Sequence, residues 1–283
     1  MELFALYGLN FIYGIATLGL IVLGLAVVFG LLGVMNMAHG EFVMLGAYSV
    51  LIVQGQGLPY FLSFPLAVLI CGFVGYLVEW SMIRHLYTRP FDTLLATWGI
   101  AILIRKTVEV IFGRGYQSVN QTVTGTVDIL GVDYPAYRLV VFVCAVTLLV
   151  GLFIWYRRSN TGARIKAMIA NPELAQAMGI NTARLARGTF VFGVCMAGLA
   201  GALIAPLVRV EPYMGLDYLL SSFFILVVGG LGTLEGLFIG SSVIGGVDVA
   251  VSAFFDKTSG YLAVLVISIL FLWLRPEGLY ARR

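Results

Sequence analysis

Between Glu2 and Glu41 the chain carries no Asp, Glu, Lys or Arg, and it carries none again between Glu41 and Glu79. Each gap exceeds the roughly 20 residues that take an α-helix across the hydrocarbon core of a bilayer. Further uncharged stretches run over 188–208, 218–234 and 258–274. Backbone in hydrocarbon must satisfy its own hydrogen bonds, so such segments cross as helices. The chain therefore reads as an all-α, polytopic membrane helical bundle, a single transmembrane domain over 1–283. Only 11% of its residues are charged and 60% are hydrophobic, against about 25% charged in soluble domains. That composition excludes a water-soluble enzyme and a disordered regulator. A net charge of +3 offers no polyanion-binding surface, so no nucleic-acid partner is expected. The N-terminus has no basic region before its apolar run and no small-residue cleavage site, so it reads as a retained span.

Candidate spans lie at 8–31, 42–54, 59–78, 92–112, 137–156, 188–208, 216–233, 236–254 and 259–274. That makes eight or nine, because 42–54 and 236–254 are short or interrupted by charge. Gln54-Gly55-Gln56-Gly57 before Pro59 ends one helix and begins another. The stretch 113–135, rich in Gly, Thr, Asn, Gln and Asp, reads as an exposed loop. Loop 157–187 holds six basic residues (Arg157, Arg158, Arg164, Lys166, Arg184, Arg187) against one acid, Glu173. By the positive-inside rule it is cytoplasmic. Arg84 and Arg89 join it there, as does the tail, so the C-terminus is expected in the cytoplasm. Segment 209–217, with Arg209 against Glu211 and Asp217, fits the outer side.

Four stretches carry candidate chemistry. In 33–41, Asn36, His39 and Glu41 fall close together beside Gly33 and Gly40; polar groups at membrane depth usually face a cavity or a partner. They read either as a bend lining a solute pathway or as the interfacial end of the first helix. The run 229–236 is a second glycine-rich break, with Gly230, Gly232 and Thr233 as pathway candidates. Paired breaks in two halves of a transporter point to its substrate path. In 89–99, Asp92 follows Pro90 as at a helix start, Thr93 and Thr97 lie one turn apart, and Trp98 offers a flat aromatic face. In the basic loop, Ile165, Met168 and Ile169 share one side, while Asn171, Pro172 and Glu173 read as N-cap, N1 and a first-turn acid. Ala175 follows within that short helix, and Gly179 ends it, leaving Met178 and Ile180 as an apolar tip suited to a partner or to headgroups.

There is no phosphate-binding loop, no HExxH and no GxSxG, so no catalytic residues are expected, and no ATP hydrolysis through such a loop. His39 and His85 are the sole histidines, and Cys71, Cys144 and Cys195 are scattered in apolar runs, so no metal site is expected.

As a set, 36–48, 227–236, the loop motifs 161–167 and 175–180, and the close 275–279 resemble the permeases of branched-chain amino acid ABC transporters. Segment 89–99 is similar to the urea-transporting branch of that family, although Glu235 stands where that branch commonly has an uncharged residue. The resemblance implies an importer subunit in the bacterial inner membrane. Its partners would be a second homologous permease, two cytoplasmic ATPases holding ATP and Mg, and a periplasmic solute-binding protein. Asn171, Glu173, Ala175, Met178, Gly179 and Ile180 would couple to the ATPase. Urea or a short amide is the expected solute, consistent with a membrane-depth polar set (Asn36, Thr93, Thr97, Trp98, Thr233) with few charges. A branched-chain amino acid is the alternative, and a stand-alone passive channel a third reading.

Overall fold

The computed structural model describes residues 2–87, 89–129, 131–230, 234–275 and 278–279. Among the described residues, nine long helices stand at the nine predicted positions: α1 (Glu2–Leu32), α2 (His39–Gly55), α3 (Ser63–Ser81), α4 (Pro90–Phe112), α5 (Ala136–Arg158), then α8 (Thr182–Ile204), α9 (Met214–Gly229), α10 (Leu234–Phe254) and α11 (Lys257–Leu274). Two short helices, α6 (Asn160–Ala170) and α7 (Pro172–Ala177), occupy the basic loop. Among the described residues, five stretches are long and apolar enough to cross a membrane: Phe4–Leu32, Tyr60–His85, Ala136–Arg158, Thr182–Leu207 and Gly236–Phe254. Helices α9 and α11 are apolar but shorter. Helix α4 carries Arg105, Lys106 and Glu109 within its length; α2, with 17 residues, begins inside the bundle rather than at its edge.

Helix α8 is the central post, packed against α1, α2 and α3. Its small residues allow this. A Cβ on Gly201 would stand 1.8 Å from the Val43 carbonyl oxygen, and one on Gly46 would stand 1.9 Å from that of Gly198. In lipid no hydrophobic force draws helices together, so such close backbone approach supplies the packing. Helices α10 and α1 run antiparallel, Gly14 meeting Val249 and Gly19 meeting Ser241. The outer faces of α3, α5 and α11 are lined with exposed Leu, Val and Phe.

Segment 113–135, expected to be loop throughout, contains an antiparallel hairpin of β1 (Thr126–Ile129) and β2 (Val132–Pro135), with Thr126 opposite Pro135. Alternation of Val127, Asp128 and Ile129 is the period-two signal behind it. The same segment is tied to the bundle by Gln117 bridging Val210, and by Gln54, whose side chain donates to the Asn120 carbonyl at 2.9 Å and accepts from the Asn120 amide at 3.0 Å.

Candidate functional site: a re-entrant break and a capped loop helix

Helix α1 stops at Leu32, and Gly33 turns the chain with φ of +67°. Residues 33–38 then run without helix back into the bundle. The depth they reach is fixed by His39, whose Nε2 lies 2.9 Å from the Ile21 carbonyl oxygen. Ile21 is eleven residues before Leu32, about 16 Å along a helix axis at ~1.5 Å per residue. Of the two readings of 33–41, the buried bend is therefore the one observed. Irregular backbone at that depth needs partners from the protein. Thr97 supplies them: its Oγ1 accepts from the Met37 amide at 3.1 Å, and lies 3.3 Å from the Met35 carbonyl and 3.0 Å from that of Leu94. The Asn36 Oδ1 accepts from the Ala38 amide at 3.0 Å, while its Nδ2 is buried with no partner among the described residues.

Glu41, 2% exposed, accepts at Oε1 from Arg105 of α4, with Nε at 3.0 Å and Nη2 closing the second arm. Its Oε2 is buried without a partner among the described residues. The Arg105 guanidinium lies 5.6 Å from the Tyr213 ring centroid. Arg105 is not among the candidates read from the sequence; the signal for it is a cation inside an apolar helix, which lipid does not tolerate alone.

The other candidates divide. Thr93 is buried on the same face of α4 as Thr97, but its hydroxyl is turned to the Leu86 and Arg89 carbonyls at 2.7 and 2.9 Å, closing the helix start. Trp98 is 42% exposed, whereas its neighbour Thr97 is buried. Gly230 ends α9 with φ of +114° and packs against Gly278. Gly232 and Thr233 lie outside the described residues. Among the described residues no group of three His, Cys, Asp or Glu side chains could hold a metal.

Local chemistry shapes the basic loop as its sequence predicts. Ser159 caps α6 by accepting from the Gly162 amide at 2.9 Å, and Ile165 and Met168 bury its inner side. Asn171 caps α7 by accepting from the Leu174 amide at 3.0 Å, with Glu173 in the first turn. Gly179, φ +81°, closes it: its amide donates to the Gln176 carbonyl and that of Ile180 to the Ala175 carbonyl, the paired bonds of a Schellman motif. Ala175 is buried and Ile180 half-buried, whereas Leu174 and Met178 protrude, Met178 71% exposed. The Gln176 amide donates to Thr182 Oγ1 at 2.8 Å, fastening α7 to the start of α8. At the same end of the bundle, buried Glu79 accepts from Arg187 at 2.6 Å and from Tyr87 at 3.3 Å. Burial first, and the Glu79 charge second, push the Tyr87 phenol above its ordinary value.

This arrangement agrees with what the chain resembles. The permease protein LivH of the high-affinity branched-chain amino acid transport system of Escherichia coli (strain K12) is 27% identical over 297 residues, covering 98% of this chain and 96% of LivH. LivM of the corresponding system of Salmonella typhimurium is 26% identical over 285 residues, covering 91% of this chain and 66% of LivM. Among solved structures, PsaBC from Streptococcus pneumoniae in complex with Fab shares the fold with a TM-score of 0.55 at 12% identity, covering 96% of this chain and 92% of that one. The family described as "Branched-chain amino acid transport system / permease component" matches residues 7–274. A membrane bundle with a buried re-entrant break and a capped loop helix, matched over nearly its whole length, the chain belongs to that family of transport permeases.

Proposed function

We propose that the chain is a permease subunit of an ABC importer for branched-chain amino acids in the bacterial inner membrane. It would work beside a second, homologous permease and a periplasmic binding protein, and be driven by two cytoplasmic ATPases that hold the ATP and Mg. The observation that carries this is the capped helix α7, held rigid at both ends and presenting Leu174 and Met178 outward. An exposed apolar tip on a fixed element is what a partner surface grips. Family membership and the LivH and LivM relatives support the partner set.

We take the branched-chain amino acid, the alternative above, over the urea or amide expected from 89–99. Both permease relatives named above are described by branched-chain amino acid transport. Charge supports the same choice. A zwitterion needs charged partners or helix ends for both its groups, and Glu41 Oε2, without a described partner, offers an acceptor for the ammonium inside the span. Trp98, expected to stack a flat neutral solute, faces outward. We place the pathway along the re-entrant segment, where Asn36 Nδ2 and Glu41 Oε2 have no described partner, with His39 and Thr97 holding its backbone. The loop residues 171–180 would pass ATPase closure to α8 through Gln176 and Thr182.

The test is Met178→Glu in the assembled transporter. Uptake of labelled leucine is lost while the ATPase still co-purifies; unchanged uptake would remove the coupling role. Excess urea leaves leucine uptake unchanged, whereas isoleucine and valine suppress it. Leucine flux that persists after ATP depletion would instead favour a passive channel.

A further inference from the structure

Beside the loop helices lies a cleft of about 690 Å³ between α1, α5, α6 and α8. Its depth is apolar: Val27 and Leu152 are buried in its wall. Its mouth is aromatic, with Trp155 and Phe192 stacked at 5.8 Å between ring centroids and both partly exposed. Arg164 and Arg184 stand on its rim, exposed, and neither has an ion pair or a side-chain hydrogen bond among the described residues. Among the described residues no Asp or Glu lines the cleft.

Position fixes what can enter. Trp155 and Tyr156 precede Arg157 and Arg158 at the end of α5, the aromatic-then-basic order found where a span leaves the hydrocarbon. The cleft thus opens at the bilayer interface, its apolar part at acyl-chain depth and its cations at headgroup depth. Basic pockets between spans at this level bind anionic headgroups. A soluble anion would use the rim and leave the apolar wall wet. A polypeptide would reach the rim from water but not the aromatic mouth, which faces lipid.

We propose that this cleft is a binding site for one anionic phospholipid, its phosphate held by Arg164 and Arg184 and an acyl chain lying along Val27 and Leu152. Met178 and Gly179 also line the cleft, so the lipid braces the loop helix against α5 and α8. The site does not depend on the identity of the solute; it shares Met178 with the proposed coupling tip, so its test begins with the permease alone.

The chain has four tryptophans. Replacing Trp80, Trp98 and Trp273 by Phe leaves Trp155 as the sole indole reporter at the mouth. The purified protein is placed in vesicles of phosphatidylcholine with a small fraction of lipid brominated on its acyl chains, either phosphatidylglycerol or phosphatidylcholine. Brominated phosphatidylglycerol quenches Trp155 at far lower mole fraction than brominated phosphatidylcholine. Each basic contact at a membrane surface is worth about fivefold, so Arg164→Gln with Arg184→Gln lowers the preference by roughly 30-fold. Arg158→Gln, on the same loop but off the cleft, leaves it in place. Equal quenching by the two lipids, or a preference that survives the double variant, overturns the proposal. So does relief of quenching by glycerol phosphate, which would make the ligand a soluble anion, or relief by an added ATPase subunit, which would give the cleft to a protein. If the double variant does not assemble, the parent protein is measured in high salt: exposed cations are screened, so the preference weakens, and a salt-insensitive preference overturns the site.

Discussion

Arg105→Met is the most informative single change in the bundle. The Glu41 side chain is 2% exposed and its only described partner is Arg105, itself 10% exposed. Removing the cation strands a carboxylate at membrane depth, and breaking a buried pair from one side costs about 3–5 kcal/mol. Lost stacking on Tyr213 adds about 0.5–1 kcal/mol. Replacing both partners, Glu41→Gln with Arg105→Met, removes the stranded charge, and exchange of a whole buried pair is often close to neutral. The double variant is therefore more stable than Arg105→Met, with a coupling free energy on the order of 3 kcal/mol. Equilibrium unfolding in mixed micelles of increasing dodecyl sulfate, followed by circular dichroism, measures all four corners of the cycle. An Arg105→Met loss below about 0.5 kcal/mol, the range of ordinary surface changes, refutes a desolvated pair. A double variant as unstable as the single one refutes the assignment of that cost to Glu41.

Three further outcomes are expected. Gly201→Leu forces its side chain into the Val43 carbonyl and, as overpacking against backbone, lowers stability by at least about 1–3 kcal/mol in the same assay. Thr97→Val leaves the half-buried Met37 amide without its acceptor, costs about 1 kcal/mol, and speeds hydrogen exchange at Met37 while α8 stays protected. Asp256, the N-cap of α11, accepts from the Ser259 side chain and from its amide at 2.9 Å, and these bonds hold its carboxyl below its usual 3.8. Its cap is therefore fully present above pH 3.8 and is lost as pH falls through the lower folded value; exchange at the Ser259 amide rises only there, and Asp256→Asn abolishes that step.

The helices were legible because charge spacing alone marks where lipid begins and ends, and α7 was legible to the residue because Asn171, Pro172 and Gly179 are local signals. The depth of the break was not. Nothing near Asn36 in the chain says that the segment climbs back to Ile21; that is settled by a contact from His39 across the bundle. Glu41 could be named from sequence, yet its partner lies 64 positions away on another helix, beyond any local pattern. Counting charges in single stretches likewise hid that two of them, Glu41 and Arg105, meet inside the bundle. The hairpin in 113–135 was hidden by turn residues that outnumber its two short alternating runs.

Leu279 donates its amide to the Val228 carbonyl at 2.9 Å, and Gly278 sits so close to Gly230 that a Cβ would fall 2.4 Å from its Cα. The terminal carbonyls of α9 thus wait for residues made after α10 and α11. At the ~5–20 residues per second of protein synthesis, that wait lasts about 3–10 s. Throughout it the Val228 carbonyl lacks its partner, so the end of α9 is completed only once α10 and α11 have been made and 278–279 can fold back onto it.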